Sequence, residues 1–111
     1  MKTTQMPSCV HENGTVEGTL VEVELPEPGP DEVMVEIEVA PINPSDLGLM
    51  FGAADLSTVR TAERDGQPAL LLDVPSAAMR AMAPRIGHWM AVGTEGSGRV
   101  IAAGDSDAAH A

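Results

Sequence analysis

The chain has 111 residues, enough for one domain with its own core and too few for two ordinary ones. Hydrophobic residues make up 43% and aromatic ones 2%, which argues against wholesale disorder and leaves a core of Val, Ile, Leu, Met and Ala. Seventeen acidic against six basic side chains give a formal charge of −11, which repels phosphate backbones and anionic lipid surfaces, so neither nucleic acid nor membrane is expected as a partner.

From Met1 to His11 there is one Lys and no apolar run of signal-peptide length, and no segment approaches the length that spans a bilayer. Cys9 is the only cysteine, so no intrachain disulfide forms and a Cys-based zinc site lacks its ligands. These features fit a soluble, cytoplasmic protein. Cys9 lies in a polar stretch with no evident activating partner and reads as an unreactive thiol.

Thr19 to Leu25 alternate, with Val21, Val23 and Leu25 on one side and Glu22 and Glu24 on the other, which predicts a half-buried strand. Pro26, Pro28, Gly29 and Pro30 end it in a turn. Alternation resumes with Val33, Val35, Ile37 and Val39 facing in and Glu36 and Glu38 facing out, so the two segments are expected as strands of one antiparallel sheet. Asn43, Pro44 and Asp46 then give an N-cap, a first helical proline and a first-turn carboxylate, predicting a short helix to Leu49 or Met50 with Gly52 as its stop.

Further on, Asp65-Gly66 marks a turn, Ala69 to Val74 is an apolar run of strand length, and Ser76 is expected to cap a brief helix carrying Met79 and Met82, interrupted at Pro84. The methionines from Met79 to Met90 read as core fillers. Ala91 to Ala103 reads as a glycine-rich bend feeding a strand. Gly93, Gly96 and Gly98 are not a dinucleotide fingerprint, because a strand follows them where that motif needs a helix. His11, His88 and His110 are widely spaced, without a paired-ligand pattern, and read as surface or capping residues.

Three segments in order carry a resemblance: Leu25-Pro-Glu-Pro-Gly-Pro-Asp-Glu-Val33 running into a valine-rich strand, Ile42-Asn-Pro-Ser-Asp46, and Gly93-Thr-Glu-Gly-Ser-Gly-Arg-Val100. Together they resemble the N-terminal catalytic domain of the medium-chain dehydrogenases and reductases. The resemblance implies a mainly β fold, a GroES-like, partly open β-barrel with short helices, over residues 1–111. It leaves residues 53–89 unaligned, as an insertion. It also implies a longer enzyme, truncated here, whose Rossmann domain binds NADPH and closes an active-site cleft between the two domains.

Zinc-dependent members of that superfamily have a Cys where this chain has Asn43 and a His where it has Thr94, and neither replacement is a useful zinc ligand. The chain therefore resembles the zinc-free branch, the quinone oxidoreductases and enoyl thioester reductases. In that branch hydride passes from NADPH to a quinone or activated alkene, and the full enzyme is expected as a homodimer. The resemblance makes Asn43, Ser45 and Thr94 the candidate catalytic residues and Asn43 the residue beside the cofactor. Local chemistry gives Asn43 and Pro44 a helix-capping role as well, and gives Asp46 and Glu95 structural, hydrogen-bonded roles.

One departure bears on mechanism. Enoyl reductases of this type carry a proton-donating Tyr where this chain has about Ala54, and the sequence contains no Tyr. The proton would then come from water or another side chain, or not be needed in the same way, which favours a quinone-type or an unassigned acceptor. The alternative function is a stand-alone GroES-like binding or assembly module with no redox activity.

Overall fold

The computed structural model describes residues 1–111. The strands are β1 (Lys2–Gln5), β2 (Pro7–Val10), β3 (Thr15–Thr19), β4 (Val21–Glu24), β5 (Val33–Val39), β6 (Asp55–Arg64), β7 (Gln67–Asp73), β8 (Met90–Ala91) and β9 (Ser97–Ala103). Helix α1 (Pro44–Phe51) follows β5, and α2 (Ser76–Met82) follows β7 and runs into a 3-10 turn at Ala83–Arg85. The fold is mainly β with short helices, and its sheets stay open. No helix is long and apolar enough to cross a membrane.

The largest sheet has the order β6-β7-β3-β2-β8, antiparallel throughout. Its two hairpins are set by local chemistry. Between β2 and β3, Asn13 Oδ1 accepts from the Thr15 amide (3.2 Å) and hydroxyl (2.7 Å), and Gly14 takes the left-handed φ of 84°. Between β6 and β7, Asp65 and Gly66 both have positive φ, 51° and 79°, as a two-residue hairpin loop requires.

The core is small and lies between this sheet and α2. Val10, Val16, Val74 and Met82 form it, with Ala54, Ala78, Met79 and Ile86 packed around them. Residues 53–89 therefore do more than connect: they contribute two strands of the sheet and the helix that covers it. Met82 is buried as a core filler, and Met79 and Met90 are half-buried.

Several local expectations need correction. The expected strand from Thr19 breaks at Leu20, so Thr19 closes β3 and β4 begins at Val21. Strands β4 and β5 do not share a sheet: β4 pairs with β1, and β5 pairs with β9. Two ion pairs hold the first ribbon, Lys2 Nζ to Glu22 at 3.3 Å and the N-terminal amine to Glu24 at 2.9 Å. The prolines at 26, 28 and 30 form no tight hairpin that would fold β5 back onto β4.

Val33, Val35, Ile37 and Val39, expected to face inward, are exposed. Ser76 opens α2 as its first residue, and Pro75 occupies the cap position. Cys9, read as an unreactive thiol in a polar stretch, is buried within β2. His11, expected at the surface or in a capping role, is half-buried against Glu17.

Helix α1 follows its local signals and runs one residue further than expected, to Phe51. Three contacts seat it. Ser8 Oγ donates to the Met50 carbonyl at 2.5 Å, Arg85 Nη1 donates to the Gly48 carbonyl at 3.2 Å, and Arg85 Nη2 donates to the Leu49 carbonyl. Arg85 thus places a cation where the last carbonyls of the helix concentrate negative charge. Gly52, with φ 55°, lies so close to Met82 and Arg85 that a Cβ there would overlap the Met82 methyl and crowd the Arg85 guanidinium.

Candidate functional site

The N-terminus of α1 is built around Asp46. Its Oδ2 accepts the backbone N–H of Asn43 at 2.8 Å, and its own amide donates to the Asn43 carbonyl at 3.0 Å, so the cap residue is fixed in an extended conformation. Asp46 is buried. Its other oxygen receives the Thr94 hydroxyl at 3.4 Å, a long hydrogen bond. The Asn43 side chain turns the opposite way and donates through Nδ2 to Glu95 Oε1 at 2.8 Å.

Two segments about fifty residues apart in sequence therefore meet at one place: the helix start carrying Asn43, and the bend of Gly93, Thr94 and Glu95. Gly93 makes the bend with φ 101°. Asn43 is half-buried, and Ser45, Thr94 and Glu95 are exposed. Ser45 lies on the first turn of α1, two residues from Asn43. Asn43, Thr94 and Glu95 bring together an amide, a hydroxyl and a carboxylate, a set suited to orienting a polar ligand by hydrogen bonds. No three or more His, Cys, Asp or Glu side chains converge as a metal-binding group.

A second polar cluster lies across the large sheet. Glu17, on β3, is buried, and Arg64 at the end of β6 clamps it with Nε to Oε2 at 2.5 Å and Nη2 to Oε1 at 2.8 Å. His11 Nε2 donates to the same Oε1 at 2.7 Å. Trp89 completes the cluster: the Arg64 guanidinium lies 5.0 Å from its ring centroid, and His11 meets it edge-on at 6.0 Å. Hydrogen bonding from Arg64 holds the Glu17 carboxyl below the ordinary glutamate range, against the opposing effect of burial, and His11 adds to the lowering.

None of these four residues stood out in the sequence as a site. The available signal was a Glu in the middle of the Val16-Glu17-Gly18 run, a charged residue where a strand turns inward. A cleft of ≈ 370 Å³ opens beside this cluster, lined by Gln5, Thr19, Val21, Arg64, Asp65 and Trp89 among others. A more apolar one of ≈ 270 Å³ lies over Gly18, between Met6, Leu20, Met50 and Leu70.

Burial pushes the Cys9 thiol above its ordinary range, and the nearby Glu17 carboxylate adds to that effect. This chemistry favours the inert, protonated thiol. Comparison with protein-family models gives no match for the chain, and comparison with curated proteins gives no relative.

Proposed function

We propose that the chain is the substrate-side domain of an NADPH-dependent, zinc-free oxidoreductase of quinone-reductase type, GroES-like in fold, with Asn43, Ser45 and Thr94 on the wall of the reaction cleft. One observation carries this reading. Asn43 and Thr94, expected from their motifs to share a cleft, are joined through Asp46, Thr94 by its hydroxyl and Asn43 by its backbone N–H.

The donor set bears on the type of chemistry. An amide and a hydroxyl hold zinc poorly but donate well to a carbonyl, and a quinone presents carbonyls. Glu95 takes one N–H of the Asn43 amide, which fixes the plane of that amide and leaves its second N–H for a ligand. When bound, NADPH supplies the hydride. The chain's glycine-rich bend leads into strand β9 and not into a helix, so cofactor binding is assigned to a second domain. With no Tyr in these 111 residues, the proton that accompanies the hydride is taken from water or from another side chain, and a quinone is the acceptor that depends least on a dedicated donor.

The test is to express the longest reading frame containing this segment and follow NADPH absorbance against a panel of quinones and enoyl thioesters. The expected result is quinone-dependent oxidation, with kcat lowered about ten-fold in Asn43→Ala through loss of an orienting hydrogen bond. A longer product that binds no nicotinamide overturns the assignment. The second reading, a binding or assembly module, is favoured by the exposed apolar face of β5.

A further inference from the structure

Strands β5 and β9 pair with each other and with no other strand, so this ribbon has two open edges. Val33, Val35 and Ile37 alternate onto one face, and Val100 of β9 stands directly opposite Val35. The four are 42%, 42%, 57% and 54% exposed, and Val39, past a bulge, is 67% exposed. The radius of gyration is 17.0 Å, against about 13 Å for a compact chain near this length. A bare valine-rich ribbon with an unpaired edge is a template for strand addition.

Charge selects among occupants. Between Thr3 and Val59 the sequence has no Lys or Arg, while Glu22, Glu24, Glu27, Asp31, Glu32, Glu36 and Glu38 cluster on and around β4 and β5. Arg99, the one cation on the ribbon, is paired with Glu36 at 3.5 Å. A groove of ≈ 450 Å³ runs from this face between Leu25, Val33 and Val35 and carries the carboxylates of Glu27 and Glu32 with no basic residue among its lining. A second copy of the chain, or an anionic membrane, would bring like charge against it.

We infer that the free edge of β5 receives a polypeptide strand from a partner, one with alternating apolar side chains flanked by Lys or Arg. The apolar side chains cover Val33, Val35 and Ile37, the interleaved basic ones lie on the opposite, Glu36 side of the added strand, and one at its end reaches Glu27 and Glu32 at the groove. The inference rests on the binding-module reading and does not use the Asn43 side chain or any redox step.

The probe is a short fluorescein-labelled peptide alternating Val with Lys, compared by fluorescence anisotropy with one alternating Ser with Lys and one alternating Val with Glu. The Val–Lys peptide is expected to bind at least ~10-fold more tightly than either comparison peptide, because only it matches both the apolar face and the charge. Ile37→Lys and Val35→Lys should each weaken it ~10-fold, and Glu27→Gln should weaken it and flatten its dependence on salt. Leu56→Lys, at an exposed apolar position on β6, should leave binding unchanged, and circular dichroism checks that each variant keeps its fold.

Equal binding of the Ser–Lys peptide, or indifference to Ile37→Lys in a folded variant, overturns the inference. So does sedimentation showing a dimer that Ile37→Lys dissolves, which would assign the face to a second copy.

Discussion

Arg64 and Glu17 are 47 residues apart in sequence, yet the guanidinium closes two hydrogen bonds on the carboxylate, at 2.5 and 2.8 Å, and ties the hairpin of β6 and β7 to the middle of the sheet. Arg64 keeps 41% of its side chain in solvent, whereas Glu17 keeps 7%. The arginine can therefore rehydrate if the pair breaks, and the glutamate cannot.

That asymmetry sets the first prediction. Arg64→Ala leaves the buried carboxylate with His11 alone and is expected to cost roughly 2 kcal/mol, less than breaking a fully buried pair because one partner is partly solvated. Glu17→Gln removes the charge and should cost less. Because the folded-state pKa of Glu17 is depressed, its contribution is present above the ordinary glutamate value and is lost as pH falls through the folded value. Thermal melts at pH 7 and at acid pH check this: the wild type should lose more on acidification than Glu17→Gln.

Cys9 supplies the second. Its thiol is buried and its pKa is raised, so the native chain should react with a disulfide reagent far more slowly than the urea-unfolded chain, which should titrate one thiol. A raised folded-state pKa stabilises below the unfolded value and loses that contribution as pH rises through the folded one. The Cys9 contribution therefore disappears only in alkali, above the ordinary thiol range. Rapid labelling of folded protein at neutral pH would contradict the burial.

Gly52 gives the third. Its positive φ and its contact with Met82 and Arg85 leave no room for a methyl group, so Gly52→Ala should destabilise by roughly 2 kcal/mol, read from urea midpoints. Gly66→Ala, in open space, carries only the backbone strain and should cost less.

The fourth separates the two expected cleft residues. Asn43 makes a 2.8 Å side-chain bond from a helix cap, while Thr94 makes one at 3.4 Å from an exposed bend. Asn43→Ala should lower stability by about 1 kcal/mol and Thr94→Val by less than about 0.5 kcal/mol, measured by chemical denaturation.

Helix α1 and the Asp65-Gly66 turn were legible in the sequence because their causes are local: a cap, a proline, a first-turn acid, and two residues that tolerate positive φ. Strand pairing was not. Alternation in Val33 to Val39 fixes two faces but does not say which one is covered, and nothing near Val21 announces that its partner is Gln5. The first strand, Lys2-Thr-Thr-Gln5, has no apolar period to reveal it. The resemblance brought Asn43 and Thr94 to one place, but the bond from Asn43 to Glu95 was not foreseen, and the Glu17 cluster was missed because its members come from four separate segments.

The division into three sheets has a thermodynamic consequence. The buried side chains belong mainly to the five-stranded sheet and the helices against it, and no residue within β5 or β9 is buried. The ribbon of β5 and β9 is therefore expected to fray on heating before the five-stranded sheet does. Calorimetry of the whole chain is expected to give an enthalpy above the van't Hoff value, while the midpoint of the five-stranded sheet still reports the variants within it.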